Sequence, residues 1–383
     1  MYLNEIVCES CGFLCGPDNP VTSCPDCGSP LKLQYDFARM NQEASRNELS
    51  GCGVKRYREL LPLDDSPVSL GEGDTPVVRS SSLGSDIPGE LYFKLEFVNP
   101  TGSFKDRGTV VTVSKACEWG MNAVVDDSSG NAGASLAAYS AKADLDCTIY
   151  VPARASGEKI VQIKSYGAEL EEVPGPRERA TEKLKENTSG ADTYYASHNL
   201  SPYFPEGMKT VAYEIGEEFG WSPPNHLVVP VGGGALLIGL YRGFKELARL
   251  GWINRAPKLH GIQTKSCNPV VTAFENSWDQ TRPTETRPTI AEGAHISNPE
   301  RGEEILEGIR NTGGQALEVT ESEVKRSLRE LAQKEGLFVE PTSAVPLAGL
   351  KRLNDSGAFE PGERVLVPIT GSGLKDAETW RAS

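Results

Sequence analysis

Five of the nine cysteines fall within the first 27 residues, and four of them make two CxxCG knuckles. These are Cys8-Glu9-Ser10-Cys11-Gly12 and Cys24-Pro25-Asp26-Cys27-Gly28. Each knuckle puts two thiolates on one tight turn, and the glycine that follows lets backbone N–H groups approach the sulfurs. Two such turns supply a closed tetrahedral four-cysteine site, the chemistry of structural zinc and not of catalysis. Free thiols or a pair of disulfides are the alternatives, and a reducing compartment disfavours the second. Cys15, between the knuckles, reads as a bystander. Cys52, Cys117, Cys147 and Cys267 read as small buried residues.

A different chemistry is offered by Lys105 in Asn99-Pro100-Thr101-Gly102-Ser103-Phe104-Lys105-Asp106-Arg107-Gly108. A lysine among apolar and cationic neighbours can have its pKa lowered and serve as Schiff-base former or base. Taken alone, the motif also reads as a surface lysine in a helix cap. A Ser103–Lys105 hydrolytic dyad lacks a matching oxyanion motif.

Three loops rich in glycine and hydroxyls accompany the lysine. Gly232-Gly233-Gly234-Ala235-Leu236 opens a helix and can crowd several N–H groups onto one anion. It fails the dinucleotide fingerprint and lacks the GK[ST] of a P-loop, so it reads as a phosphate cup without nucleotide machinery. Ser128-Ser129-Gly130-Asn131 precedes a helix of small residues and suits a carboxylate. Thr370-Gly371-Ser372-Gly373 follows the last apparent strand. Three such loops at strand ends point to one crevice, because α/β sheets bind ligands at strand C-termini.

The elements that must position these loops alternate. Strands are expected at Leu91–Phe93, Ala123–Val125, Cys147–Val151, His226–Val231, Lys258–Ile262 and Arg364–Ile369, with amphipathic helices between them. Thr320 and Glu323 form a capping box opening a helix whose Val324, Leu328 and Leu331 share a face, closed by Gly336. Alternation of this kind means parallel βαβ units and an α/β fold.

Composition narrows the setting. The 383 residues suggest two or three domains, and 39 basic against 53 acidic side chains give a net charge of −14. That balance argues against a nucleic-acid surface, though it permits a local anion pocket. No run approaches the roughly 20 apolar residues of a membrane helix. The N-terminus lacks the basic and apolar regions of a signal peptide, so a cytoplasmic protein is expected. Four scattered histidines and no HExxH argue against a histidine-built catalytic metal.

Taken together, the Lys105 motif, Ser-Ser-Gly-Asn131, the Gly232–Ala235 loop, Glu340-Pro341-Thr342-Ser343-Ala344 and Thr370-Gly-Ser-Gly-Leu-Lys-Asp resemble the threonine synthase family. They span essentially the whole chain in the same order. That family belongs to the fold type II pyridoxal-phosphate enzymes, the tryptophan synthase β-like superfamily, and its relatives often carry a four-cysteine ribbon. The resemblance implies two doubly wound open-sheet α/β domains preceded by the zinc ribbon. It places the ribbon at 1–36, a large cofactor-binding domain at 37–115 and 210–383, and a smaller domain at 116–209. It implies pyridoxal phosphate as cofactor, with structural zinc in the ribbon. Lys105 is then the Schiff-base lysine and the catalytic residue. Phe104 flanks the cofactor ring, Asn131 bonds its 3′-oxygen, and N–H groups from Gly232 through Gly233, Gly234 and Ala235 to Leu236 hold its phosphate. Thr370 faces the pyridine nitrogen; a hydroxyl leaves the ring nearly neutral, which suits elimination and replacement better than transamination. Ser128, Ser129 and Gly130 bind the carboxylate of a small amino-acid substrate. The implied reaction converts O-phosphohomoserine and water to threonine and phosphate, a lyase chemistry, in a homodimer.

Four departures keep a neighbouring activity open. Phe204 stands where the family has an arginine for the substrate phosphate, in Ser201-Pro202-Tyr203-Phe204-Pro205-Glu206-Gly207. The Gly232 loop is closer to serine/threonine dehydratases, Ser372 replaces a usual histidine, and two hydroxyls after Asn131 are missing. The alternative is therefore a serine/threonine dehydratase or a β-replacement enzyme, for example cysteate synthase acting on O-phosphoserine and sulfite. Lys159, Lys164, Lys209 and His198 are the cations available in place of the arginine.

Overall fold

Short β-branched runs bounded by glycine, proline and aspartate set the strands. In the computed structural model, residues 65–66, 154–156, 176, 189–191 and 383 lie outside the described chain. The described strands are β1 Leu3–Val7, β2 Leu14–Cys15, β3 Lys32–Tyr35, β4 Val77–Arg79, β5 Glu90–Lys94, β6 Ala123–Asp126 and β7 Asp146–Pro152, followed by β8 Glu169–Val173, β9 Thr193–Tyr195, β10 His226–Pro230, β11 Lys258–Thr264, β12 Ala316–Val319 and β13 Arg364–Pro368. All six strands expected from the sequence form. Those that sequence pattern did not signal are short or polar: β8 is Glu-Leu-Glu-Glu-Val, an edge strand whose apolar content is too low to read. The Thr320–Glu323 capping box closes as expected, and Gly336 ends that helix in the left-handed region at φ 73°.

The chain divides into two compact units, Met1–Asp74 with Asn99–Thr210, and Thr75–Val98 with Val211–Ser383. In this division residues 99–115 group with 116–209. The first unit holds a parallel sheet in the order β8-β7-β6-β9 and a small antiparallel sheet, β2-β1-β3, that carries the cysteine knuckles. Its core is continuous from one to the other: Leu3, Ile6 and Leu31 share a cluster with Val110, Val113, Tyr139 and Tyr194. A ribbon of about 35 residues has too little apolar surface of its own, and this shared core supplies what it lacks. Helices Lys105–Glu118 and Asn131–Ala143 belong to the same cluster, and the first is buried from Asp106 to Ala116.

The second unit holds a six-stranded sheet in the order β12-β11-β10-β13-β5-β4, parallel except for β4 against β5. At the start of its central strands a histidine chain is fully specified by its donors. The N–H of Gln315 donates to His260 Nδ1 at 3.2 Å, so the His260 proton sits on Nε2 and donates to His226 Nδ1 at 3.0 Å. His226 therefore donates from Nε2 to Glu363 Oε2 at 2.9 Å. Neither ring can accept a proton without losing one of these bonds. Burial lowers the His260 pKa to about 3 and lowers that of His226 as well. Below pH ~6.5 the unfolded chain thus binds protons that the folded chain refuses, and stability falls with acid. His260 alone accounts for a loss of about 1 kcal/mol between pH ~6.5 and ~5.5, the slope rising toward about 1.4 kcal/mol per pH unit below that. Urea midpoints for wild type and His260→Gln across that range measure it, and a slope unchanged by the substitution would count against this assignment.

No helix among the described residues is long and apolar enough to cross a membrane.

Candidate active site and metal centre

The two knuckles superpose in their bonding. The N–H of Gly12 donates to Cys8 O and that of Gly28 to Cys24 O, both at 2.9 Å. Both glycines are left-handed, at φ 80° and 77°, which favours glycine at this place. The turns bring the sulfurs of Cys8, Cys11, Cys24 and Cys27 within 4.8 Å of one another. Cys8 and Cys27 Sγ are 3.5 Å apart, and Cys11 and Cys24 Sγ 3.4 Å. Four thiolates at about 2.3 Å from a tetrahedral zinc stand about 3.8 Å apart, so the donor set fits that ion. Cys15 lies on β2 opposite Ile6 and outside the cluster.

In the first unit, Lys105 is the first residue of helix Lys105–Glu118. Its ammonium lies 4.6 Å from the Phe104 ring centroid and 5.6 Å from that of Phe204. Ser103, two residues before it, is fully buried, and its hydroxyl has no hydrogen-bond partner among the described residues. A buried hydroxyl of this kind is costly unless something polar meets it, which fits a bound polar group. The helix start is held by Asp106, whose carboxylate accepts from Thr101 N at 2.7 Å, Thr101 Oγ1 at 2.6 Å and Ser135 Oγ at 2.6 Å. Ser135 is one turn beyond Asn131 on helix Asn131–Ala143, so Asp106 ties the lysine helix to the asparagine helix. Sequence reasoning gave Asp106 no role. Asp106→Asn replaces three charge-assisted bonds by weaker ones and is expected to destabilise the first unit by about 2–4 kcal/mol. Denaturant unfolding measures this, and a change below about 0.5 kcal/mol would remove Asp106 from the role.

Ser128, Ser129 and Gly130 run from β6 into that asparagine helix. The turn is closed tightly: a Cβ on Gly133 would stand 1.9 Å from the Ser128 carbonyl oxygen. Ser128 is buried and its hydroxyl accepts from Gly130 N at 3.4 Å. Phe104, Lys105 and Ser128 to Asn131 all lie in the first unit.

Gly232 to Leu236 and Thr370 lie in the second unit. Gly234 caps helix Ala235–Arg249 in the left-handed region at φ 85°. A Cβ on Gly232 would stand 2.4 Å from the Gly293 carbonyl, so the loop excludes side chains and presents backbone N–H groups at a helix start. Backbone N–H groups at a helix start can receive an anion such as a phosphate. Thr370 is buried, with Oγ1 3.0 Å from Ser343 Oγ. Ser343 also accepts from Gly371 N at 2.9 Å, and sequence reasoning had named its motif without assigning it a role.

The cations available in place of the missing arginine are otherwise engaged in two cases. Lys209 is buried against Glu206 at 2.8 Å, and His198 Nδ1 lies 3.2 Å from Asp126 Oδ2. Lys159 and Lys164 lie on helix Glu158–Ser165. Phe204 is buried, 6.1 Å from the His198 ring.

Residues 68–371 match the family model described as pyridoxal-phosphate dependent enzyme. A threonine synthase of Methanocaldococcus jannaschii is 38% identical over 97% of this chain and 93% of its own length. A threonine synthase of Methanosarcina acetivorans is 35% identical over 98% of this chain and 93% of its own. Among solved structures, maize serine racemase matches with a TM-score of 0.70 at 20% identity, over 80% of this chain and 92% of its own, which shows the fold. The cysteine pair spacing, the lysine between two rings and the glycine cradle therefore sit in a chain that belongs to the pyridoxal-phosphate dependent enzymes, in their threonine synthase family.

Proposed function

We propose that this chain converts O-phosphohomoserine and water to threonine and phosphate, with Lys105 as its catalytic residue. The observation that carries the reading is the Lys105 ammonium set against Phe104 and Phe204 beside the unmet Ser103 hydroxyl, in a chain of this family. Pyridoxal phosphate, when bound, supplies the electron sink that makes the Cα and Cβ protons of the substrate acidic. Phe104 and Asn131 orient its ring, and the N–H groups of Gly232, Gly233, Gly234, Ala235 and Leu236 hold its phosphate at a helix start. Thr370, steadied by Ser343, would offer the ring nitrogen a hydroxyl, which is too weak an acid to protonate it fully.

Ser128, Ser129 and Gly130 hold the substrate carboxylate. Lys105 takes the proton from Cα, gives it up, and as a neutral amine again takes one from Cβ; phosphate then leaves Cγ with the bonding pair and takes up the proton that water releases. Cγ gains a proton, hydroxide from water bonds to Cβ, and Lys105 returns a proton to Cα. Cys8, Cys11, Cys24 and Cys27 bind one structural zinc. A homodimer is carried over from the family resemblance, and a cytoplasmic setting from the composition and N-terminus of the chain.

Run in deuterium oxide, the reaction places deuterium at Cα and in the methyl group of threonine. Threonine without methyl deuterium would show that the Cγ proton is carried over from the substrate's own Cα or Cβ and not drawn from solvent. A second reading is favoured by Phe204, a buried ring where the family has an arginine: a serine/threonine dehydratase or a β-replacement enzyme. Formation of 2-oxobutyrate from threonine, without phosphate release from O-phosphohomoserine, would select it.

A further inference from the structure

The ribbon is bonded well beyond its own sheet. Within the loop between the knuckles, Thr22 Oγ1 donates to Tyr195 O at 2.6 Å, and Pro17 O accepts from Tyr203 OH at 3.2 Å. At the end of β3, Tyr35 OH donates to Glu206 Oε2 at 2.6 Å. Glu206 also binds Lys209 at 2.8 Å, and the Lys209 ammonium lies 4.4 Å from the Tyr35 ring centroid. Glu206 and Lys209 are each only 1% exposed, so this is a desolvated charge cluster that the tyrosine hydroxyl completes. Tyr203 and Glu206 flank Phe204, and the two ribbon contacts therefore grip the same turn from either side.

That turn has no slack toward the lysine helix. A Cβ on Gly207 would stand 1.8 Å from Arg107 O, and one on Gly108 would stand 2.8 Å from the Phe204 ring. Arg107 and Gly108 belong to the first turn of the helix that Lys105 begins. Close-packed backbone passes displacement on and does not absorb it. A shift of the Phe204 turn is thereby delivered to the wall 5.6 Å from the Lys105 ammonium.

We propose that Tyr35 and Tyr203 are positioning residues, through which the order of the four-cysteine ribbon sets the Phe204 wall and with it the environment of the Lys105 amine. The inference deepens the proposed reaction and rests on its assignment of Lys105. It gives the ribbon a part in catalysis besides its part in stability.

The test is the full-length Tyr35→Phe/Tyr203→Phe variant, loaded with zinc and pyridoxal phosphate. Both substitutions keep the rings and remove only the hydroxyls. Four quantities are read: zinc per chain, melting temperature, kcat and KM on O-phosphohomoserine, and, in cofactor-free protein, the rate at which an amine-directed aldehyde labels Lys105. The expected result is retained zinc, melting within about 4 °C of wild type, kcat lower by about 10-fold and a labelling rate altered at least about 3-fold. Unchanged kcat and labelling with zinc retained would overturn the proposal and leave the ribbon a cap. Should the double variant fail to fold, Tyr203→Phe alone is read by the same criteria. If wild type makes no threonine while the variant still alters Lys105 labelling, the positioning stands and the reaction assignment falls.

Discussion

Lys105→Ala abolishes threonine formation and the near-visible absorbance of bound pyridoxal phosphate together. The loss of turnover is expected to reach at least about 1000-fold, because covalent attachment and proton transfer are removed in one substitution. Folding is spared, since the side chain projects from a helix start whose register is held by Asp106 and by the buried residues from Asp106 to Ala116. Zinc content does not change, because the knuckles and Lys105 share no ligand. Measurement is by absorbance titration with pyridoxal phosphate, product analysis and metal content on one preparation. Turnover retained in the variant would remove Lys105 from its role, whatever the family.

Cys8→Ser, or chelation of the metal, unfolds the ribbon while the six-stranded sheet of Thr75–Val98 and Val211–Ser383 stays folded. A four-thiolate zinc site contributes on the order of 10 kcal/mol in isolated modules, more than a 36-residue segment can replace from burial. The shared core moderates this, because Leu3, Ile6 and Leu31 pack with Val110 and Tyr194. The expected result is a protein that binds less than one zinc in five chains (~0.2,), with amide protection lost over residues 1–36. The cofactor stays attached, and kcat falls about tenfold through the Phe204 turn. Purified wild type that holds no zinc and yet protects those amides would contradict the metal assignment.

The parts of this molecule that were legible in its sequence are those whose signal is local. Two CxxCG turns announce themselves by spacing, and the structure brings their four sulfurs together. The six strands rich in β-branched residues were readable for the same reason, as was the Thr320–Glu323 box. The carboxylate-rich β8 was not, because an edge strand needs no apolar alternation to pair. Lys105 was readable through a resemblance, not through physics, since a lone lysine before a helix has a bland explanation.

What was not legible lies in contacts of long sequence separation. Tyr35 meets Glu206 across 171 residues, and Ser343 meets Thr370 across 27. Neither pair has periodicity or a motif that links its members. Asp106 was visible in the lysine motif, but its acceptance from Ser135 depends on how two helices pack. Phe204 was noted as a departure from the family, and only the structure places its ring beside the ammonium. Departures of this kind mark where folding and function place different demands on one position.

The measurement that bears most directly on the whole account is the stoichiometry of products from O-phosphohomoserine with pyridoxal-phosphate-loaded protein. Inorganic phosphate and threonine are followed in the same reaction. The proposed reaction requires equal amounts of the two, formed at the same rate and lost together in Lys105→Ala. No phosphate release from protein that carries the cofactor would contradict it.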